Sequence, residues 1–499
     1  MADRLPSRVR NCKYANQQHD LGVERVLSNN PLVNKSMDKR SAPLKLTSRF
    51  EPQSPMADAV RSFTPMPAAH RNPDRDLHIL LATTGHLPST ARLAMELHDA
   101  GARVSLIAPP NHPARVLDII SHRVLYSALS PKGSLEAALQ WLRPDLVIPC
   151  DERTVRDLHQ ICLRTPHRDV RRLIERSVGP TEIFSIVTSR DALLELARRA
   201  GVRLPASMPL PDAGALDRWI ADHPGRFVMK ADGSWAGFGV RIISDAGTAR
   251  DAFVQMTRPI TGALALREMV LEGDSFGIRS WLRRERSAMS VQSYIDGWPA
   301  NIGVACWQGE LLAAICAESV ATESATGPST VVRIINNGEM VDTARRVVKA
   351  LGLSGLIGFD FMIEAASGAA FLIEMNPRNT PICAVRLGPG RDLAEALVAR
   401  LACRPPRERP SRTERDIVVF FPDMWRQNPS NPDLQNGYHD VPWEQPALVR
   451  FLVKPELRDR YWVMRMLRRL WLKIGGGRLS AEVTRNTVGR GSTMTAPSG

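Results

Sequence analysis

The chain has 499 residues and a net charge of +14, and this length is sufficient for two or three domains with well-buried cores. The sequence contains no run of 18 or more uncharged apolar residues, so no membrane span is predicted. The positive charge is spread along the chain without zinc-finger spacing or an aromatic RNA-binding signature, and nucleic acid is therefore not a predicted partner.

Residues 1–75 are rich in proline and in Asn, Ser, Lys and Arg, and they have no sustained apolar period. This composition predicts a disordered leader. No apolar signal-peptide core follows the N-terminal charges, and the acidic residues argue against a transit peptide. A translation start near Met56 or Met66 is an alternative account of the same stretch.

Residues 76–178 alternate between strand-like and helix-like patterns. Such alternation is typical of a parallel sheet in a Rossmann-like α/β domain. The first turn lacks the dinucleotide-binding glycine pattern, so NAD is not predicted. Asp151 and Glu152 lie at the exit of the third strand and can contact a substrate, although a structural turn is the favoured interpretation. The predicted strands are 78–83, 102–109 and 145–152, the last with residues 149–152 as its exit, and the predicted helices are about 89–100 and 134–142.

Two basic residues of the next region have contexts suited to anion binding. Arg190 opens a helix for which Ser189 is the predicted N-cap and Gly201 the predicted stop, so its guanidinium can lie near a bound phosphate. Lys230 ends a strand that leads into a loop containing Gly233, Gly237 and Gly239. Glycines let backbone N–H groups approach anionic oxygens; a β-hairpin with an incidental lysine is the alternative.

The pattern G-x-S-x-G occurs at residues 273–277. The nucleophile elbow of serine hydrolases requires a strand before this motif and a helix after it. Here the residues from 248 to 288 have mostly helical spacing. Ser275 is therefore interpreted as part of a helix cap rather than as a nucleophile.

Two short strands joined by a turn of small residues are predicted between Gly355 and Asn376. Glu374 and Asn376 are two residues apart and project to the same face, which Asp360 on the first strand can also reach. Two carboxylates and an amide oxygen are hard ligands, suited to magnesium held together with phosphates. Arg378 follows and can neutralise a phosphate or an acyl phosphate. For any one acidic residue alone, a solvated edge position is the alternative interpretation.

Residues 405–475 form a predicted C-terminal extension that begins with a charged linker. Residues 456–474 have the pattern of a basic amphipathic helix. For this helix, packing on the protein itself or on a second subunit of a homodimer is favoured over contact with an anionic membrane surface. Residues 476–499 are predicted to be a disordered tail.

Taken in order, Arg190, the Lys230 loop, residues 292–295 and the Asp360 strands resemble the ATP-grasp superfamily, in particular its carbamoyl-phosphate-synthetase-like carboxylate–amine ligases. The resemblance covers residues 77 to about 404. It implies an α/β and α+β fold, in which a Rossmann-like pre-ATP-grasp domain precedes a two-lobed ATP-grasp domain. The implied bounds are 76–178 for the first domain and 179–404 for the second, with a flap and lid at about 190–290 and a metal-binding lobe at about 291–404.

The resemblance also implies roles for individual residues. Asn301 stands near the place where many members carry a ribose-binding acid, so the ribose contact is left unassigned. Arg333 is equally consistent with a surface charge. The implied roles are phosphate binding by Arg190, Lys230, Gly233, Gly237 and Gly239, adenine recognition by the backbone of Gln292, Ser293, Tyr294 and Ile295, Mg²⁺ or Mn²⁺ binding by Asp360, Glu374 and Asn376, and positioning of the acceptor carboxylate by Arg378 and Arg333.

The implied function is that of an ATP- and Mg²⁺-dependent ligase, which activates a small-molecule carboxylate as an acyl phosphate for attack by an amine. One alternative is a non-catalytic protein that senses ATP. Another is a carboxylase or carbamoyl-phosphate-type activity, which would need partner proteins. The seven cysteines are scattered and odd in number, which predicts reduced thiols in a cytoplasmic protein.

Overall fold

Three β-sheets organise the part of the chain that the computed structural model describes. That part comprises residues 76–454 except 128–129, 232–238, 260, 264, 266–280, 283, 285–286 and 325, and it lies within one unit, Ser62–Gly499. The predicted leader, the 456–474 helix, the tail and the 273–277 motif lie outside the described residues. No helix in the described ranges is long and apolar enough to cross a lipid bilayer.

The first sheet is parallel, with strand order β3-β2-β1-β4, and it confirms the predicted Rossmann-like layer. Strands β1, β2 and β4 are almost wholly buried because apolar clusters cover both faces. The pattern missed β3, an edge strand whose residues alternate between buried and more exposed. The elements are His78–Ala82 (β1), Pro88–Asp99 (α1), Arg103–Ala108 (β2), Ile120–Leu125 (β3), Pro131–Leu142 (α2), Leu146–Pro149 (β4), Glu152–Arg164 (α3) and Arg168–Val178 (α4).

Side-chain caps fix where the helices near the sheet edge begin. Asp151 caps α3, because its Oδ1 accepts the N–H of Thr154 at 2.8 Å. The next helices are Phe184–Val187 (α5) and Arg190–Arg199 (α6). Ser189 caps α6 as predicted, with its Oγ accepting the N–H of Ala192 at 3.3 Å. This cap places Arg190 at the first helical position.

The second sheet is antiparallel, with strand order β5-β8-β6-β7. Met229 and Val291 belong to its apolar face, which packs against α7 and α8 through Leu216 and Phe253. The opposite face carries Lys230, because successive strand residues alternate between faces. The elements are Ser207–Pro209 (β5), Ala213–Asp222 (α7), Phe227–Ala231 (β6), Val240–Ile243 (β7), Ala246–Met256 (α8) and Met289–Ser293 (β8).

The third sheet has seven strands in the order β13-β12-β9-β10-β11-β14-β15, and its pairs are antiparallel except β14–β15. One face packs against α6 and α9, and the other packs against α10 and a 3₁₀ helix at Pro381–Ala384. The elements are Gly297–Trp307 (β9), Glu310–Thr322 (β10), Ser329–Ile335 (β11), Gly338–Leu351 (α9), Gly355–Glu364 (β12), Ala370–Asn376 (β13), Leu393–Leu401 (α10), Ile417–Val419 (β14), Asp423–Gln427 (α11), Asp433–Asn436 (α12), Tyr438–His439 (β15) and Pro446–Leu452 (α13).

Among the described residues, the cysteines are free thiols, and all of them except Cys403 are buried. Burial raises the pKa of Cys150 to about 12. These thiols therefore fill the core, as the scattered cysteine pattern predicts.

The segment interpreted from sequence as a charged linker is packed into the fold. Glu96 of α1 is only 4% exposed. Its carboxylate oxygens lie 3.5, 3.4 and 2.9 Å from nitrogens of Arg386, Arg409 and Arg412. Arg409 also donates hydrogen bonds of 2.7 and 2.6 Å to Asp392. The linker prediction was wrong because an arginine-rich composition resembles a solvated segment, whereas these guanidinium groups neutralise buried carboxylates.

We expect Glu96→Gln to lower the free energy of unfolding by about 3–5 kcal/mol, because it leaves buried guanidinium charge uncompensated. Urea unfolding followed by circular dichroism measures the change. The matched control is Glu195→Gln, whose partners Arg198 and Arg199 are 51% and 59% exposed and which should unfold like the wild type. Equal urea midpoints for the two variants would contradict a stabilising role for the Glu96 cluster.

Candidate functional site

Two carboxylates face each other across strands β12 and β13. Asp360 is directly opposite Glu374, and Asn376 pairs with Gly358 in the neighbouring row. Directly opposite residues of an antiparallel pair share a face, so all three polar side chains project to one side. The Nδ2 of Asn376 donates to Asp360 Oδ2 at 2.8 Å. The structure therefore brings together the three side chains that sequence analysis proposed as metal ligands.

Two cationic side chains from other elements reach this carboxylate pair. The Nη2 of Arg190, at the start of α6, lies 3.3 Å from Glu374 Oε1. Lys230, at the end of β6, is 6% exposed. Burial, and then the charge of Arg190, lower the pKa of Lys230 to about 8, although Glu374 and Asp360 act in the opposite direction. Side chains of the second and third sheets thus share one electrostatic environment.

The carboxylate pair has the properties of a divalent-cation site. Burial, and then the charge of Glu374, raise the pKa of Asp360 to about 6, although Asn376, Arg378 and Lys230 oppose this. A divalent cation would offset both negative charges. Within the described ranges, no group of three or more His, Cys, Asp or Glu side chains is suited to a metal. The fit to Mg²⁺ or Mn²⁺ therefore includes amide oxygens, together with oxygens that a phosphate substrate would bring.

Arg378 connects this pair to the edge of the parallel sheet. Its Nε donates to Glu152 Oε1 at 2.6 Å, and its Nη2 donates to Asn376 Oδ1 at 3.2 Å. Glu152 is the first residue of α3. The neighbouring Asp151 also accepts a hydrogen bond of 2.9 Å from the hydroxyl of Thr83. Asp151 thus has a structural role, while Glu152 forms a hydrogen bond with the candidate site residue Arg378.

The polar face of the second sheet contains two further side chains that the sequence analysis did not select. Ser290 is directly opposite Lys230, and Gln292 is opposite Val228. Both are 2% exposed, and within the described part of the chain Ser290 Oγ and Gln292 Nε2 have no hydrogen-bond partner. Buried polar atoms without partners are costly, so this face suits a polar ligand. Their alternation with Val291 in a buried strand is the signal that could have identified them.

Residues 292–295, the segment predicted to recognise adenine, already use some of their N–H groups in backbone hydrogen bonds. The N–H of Ser293 donates to Ala206 at 2.8 Å, and the N–H of Tyr294 donates to Arg226 at 3.3 Å. For the N–H of Ile295, no backbone partner occurs among the described residues. Adenine recognition by residues 292–295 stays a prediction.

A cavity of about 500 Å³ lies beside the same segment, on the side of the Tyr294 ring. The Arg226 guanidinium lies 4.0 Å from the centroid of that ring. Arg226 precedes β6 whereas Lys230 lies near its end, so this cavity is separate from the carboxylate pair. It is lined by Trp219, Asp222, His223, Pro224, Arg226, Phe227, Ser293, Tyr294 and Asp296.

Arg333 is not brought to the carboxylate pair. Its Nη1 lies 2.6 Å from Glu318 Oε1, and its side chain is 48% exposed. The register connects Asp360 through Asn301 and Ala317 to Ile334, so Arg333 projects from the opposite face of the sheet. We therefore leave Arg333 out of the site.

The glycine loop is described only at its end. Gly233 and Gly237 lie outside the described residues. The carbonyl of Gly239 accepts the N–H of Ala231 at 2.8 Å, which joins β6 to the approach of β7. Phosphate binding by these three glycines stays a prediction.

A family model and a curated relative each match part of this chain. Residues 199–381 match the model of the ATP-grasp domain, a range that includes Lys230 and Asp360 but not Arg190. Over 177 residues the chain is 26% identical to carnosine synthase 1 of Homo sapiens, a match that covers 34% of this chain and 20% of that protein. The chain thus spans about a fifth of the length of this relative.

Several solved structures are also similar. N5-carboxyaminoimidazole synthetase from Staphylococcus aureus matches with a TM-score of 0.47 and 10% identity, over 67% of this chain and 79% of that chain. Biotin carboxylase from Campylobacter jejuni matches with a TM-score of 0.48 and 16% identity, over 67% and 72%. L-amino acid ligase from Bacillus licheniformis matches with a TM-score of 0.45 and 14% identity, over 68% and 77%.

We expect Asp360→Asn to raise the melting temperature of the ligand-free protein, because it removes one of two opposed carboxylates. The same change should abolish the stabilisation that Mg²⁺ with ADP produces in the wild type. Differential scanning fluorimetry with and without the ligands measures both effects. Asp416→Asn is the control, since that side chain is 68% exposed. Full Mg²⁺–ADP stabilisation of Asp360→Asn would show that Asp360 is not part of a cation site.

Proposed function

Because residues 199–381 match the model of the ATP-grasp domain, we propose that this protein is an ADP-forming ligase that joins a carboxylate to an amine. The observation that carries the proposal is the convergence of Lys230 and Arg190 on the Asp360–Glu374 pair. Cations that can bind ATP phosphates thereby lie beside a carboxylate pair that can bind a metal. This combination is what phosphoryl transfer from ATP requires.

Each charged group has a role that follows from its position. Lys230 and Arg190 bind phosphate oxygens of ATP, and the buried setting of Lys230 strengthens that attraction. Asp360, Glu374 and Asn376 would hold Mg²⁺ or Mn²⁺. The bound cation supplies charge neutralisation at the phosphates during transfer. Ser290 lies in the same row as Lys230 and offers its hydroxyl to the nucleotide.

The proposed reaction has two steps. A carboxylate oxygen of the acceptor attacks the γ-phosphorus of ATP, so the bond to the β-phosphate oxygen breaks and ADP leaves. The nitrogen of an amine then attacks the acyl carbon, loses a proton, and expels inorganic phosphate. Arg378 lies at the border between the carboxylate pair and the parallel sheet, where it positions the acceptor carboxylate and offsets the charge of the acyl phosphate.

The substrate class is tested by ADP release from the purified protein. ATP and Mg²⁺ are supplied with amino acids as carboxylates and with amino acids or simple amines as nucleophiles, singly and in pairs. ADP release with one carboxylate–amine pair, together with an amide product by mass spectrometry, supports the ligase. ATP binding without ADP release for any pair would instead favour an ATP sensor. ADP release that requires only bicarbonate would favour a carboxylase or carbamoyl-phosphate-type activity.

We expect Glu374→Gln to lower kcat for ADP formation at least about 100-fold, because the metal loses one of its two carboxylate ligands. The melting temperature of the ligand-free variant should change little, because the lost ion pair with Arg190 is offset by the relief of repulsion toward Asp360, and the Glu374 side chain is 36% exposed. The matched control is Glu318→Gln, a carboxylate of the same sheet that pairs with Arg333. Turnover by Glu374→Gln at the rate of this control would refute the assigned role.

A further inference from the structure

We propose that Asn301 supplies a fourth oxygen donor to the divalent cation, beside Asp360, Glu374 and Asn376. The proposal rests on the proposed function, because it assigns a further residue to the same site. From sequence, Asn301 is placed only near a ribose-binding position. The strand register instead places it in line with the carboxylate pair.

Asn301, Asp360 and Glu374 form one row across three strands. Asn301 on β9 is directly opposite Asp360 on β12, which is directly opposite Glu374 on β13. Directly opposite residues share a face, and neighbouring strands lie about 4.8 Å apart. An oxygen on the Asn301 side chain is therefore on the correct face and within one strand spacing of Asp360.

The amide oxygen of Asn301 needs a positively polarised partner. Its Oδ1 is buried, and in the described part of the chain it has no hydrogen-bond partner. The two strand neighbours of Asn301 are Asp360 and Ala317, and neither an ionised carboxylate nor a methyl group can donate a hydrogen bond. A cation held at Asp360 is the partner that this position can reach.

Asn376 shows the contrast within the same site. Its Nδ2 donates to Asp360, and its Oδ1 accepts a hydrogen bond from Arg378. Both polar groups of this amide are thus engaged by protein side chains. Asn376 Oδ1 thus keeps one lone pair for a cation, whereas Asn301 Oδ1 has both lone pairs available to it.

The test measures Mn²⁺ affinity by electron paramagnetic resonance in the presence of a non-hydrolysable ATP analogue. Asn301→Leu removes the oxygen at similar volume, and we expect it to weaken Mn²⁺ binding about 10-fold. Asn301→Asp keeps an oxygen at the same place and should bind Mn²⁺ at least as tightly as the wild type. Asn301→Ala also removes the oxygen and is measured in parallel, so that the Mn²⁺ affinity can still be tested if the Leu variant does not fold.

A second readout separates a ligand from a residue that only fills space. Without metal and nucleotide, Asn301→Leu should melt no lower than the wild type, because it removes a buried amide oxygen that has no hydrogen-bond partner among the described residues. Wild-type Mn²⁺ affinity in both Asn301→Leu and Asn301→Ala would overturn the inference. If Asp360→Asn then weakens Mn²⁺ binding, the proposed function stands without Asn301. If Asp360→Asn leaves Mn²⁺ binding unchanged, the proposed metal site at Asp360 is refuted.

Discussion

The electrostatic opposition of Asp360 and Glu374 is the interaction on which the rest of the site depends. Two carboxylates held on adjacent strands, partly shielded from water, repel each other, and burial adds to the cost of their charge. Arg190 and Lys230 only partly offset it, and Lys230 itself loses hydration. The pKa of Asp360 is raised even with Arg378 and Lys230 nearby, so a bound cation would lower the cost of holding this carboxylate in its charged form.

The sheets are built so that this carboxylate pair can be maintained. Each sheet near the site has one face closed by helices: α7 and α8 on the second sheet, and α6 and α9 on the third. That apolar packing stabilises the strands, so the Asp360 row on the other face of the third sheet need not be apolar, although other residues of that face pack against α10 and the 3₁₀ helix. The other face of the second sheet carries Lys230, Ser290 and Gln292, and that of the third sheet carries the Asp360 row. These positions can therefore hold polar side chains that bind ligands.

Local patterns predicted most of the elements but few of the long-range relations. Strand alternation was sufficient to place Glu374 and Asn376 on one face, and capping chemistry was sufficient to start α6 at Arg190. The face of Arg333 could not be predicted, because it depends on the register of three successive strand pairs. The hydrogen bonds between Glu96 and Arg412 join residues 316 positions apart. A local sequence pattern cannot predict such a contact. The pairing of Asn301 with Asp360 is likewise a relation between distant strands, which the sequence alone does not define.

Arg378 forms an ion pair with Glu152, and this carboxylate competes for the guanidinium with the anion that Arg378 is proposed to bind. An incoming carboxylate must displace the Glu152 side chain or share the Arg378 guanidinium with it. Its net binding free energy is therefore the difference between two similar carboxylate–guanidinium interactions. Weak ground-state binding is the consequence. Glu152 begins α3, just after the parallel sheet, and Arg378 follows β13 of the third sheet. That exchange would therefore also make substrate occupancy and the contact between these two parts of the fold energetically interdependent.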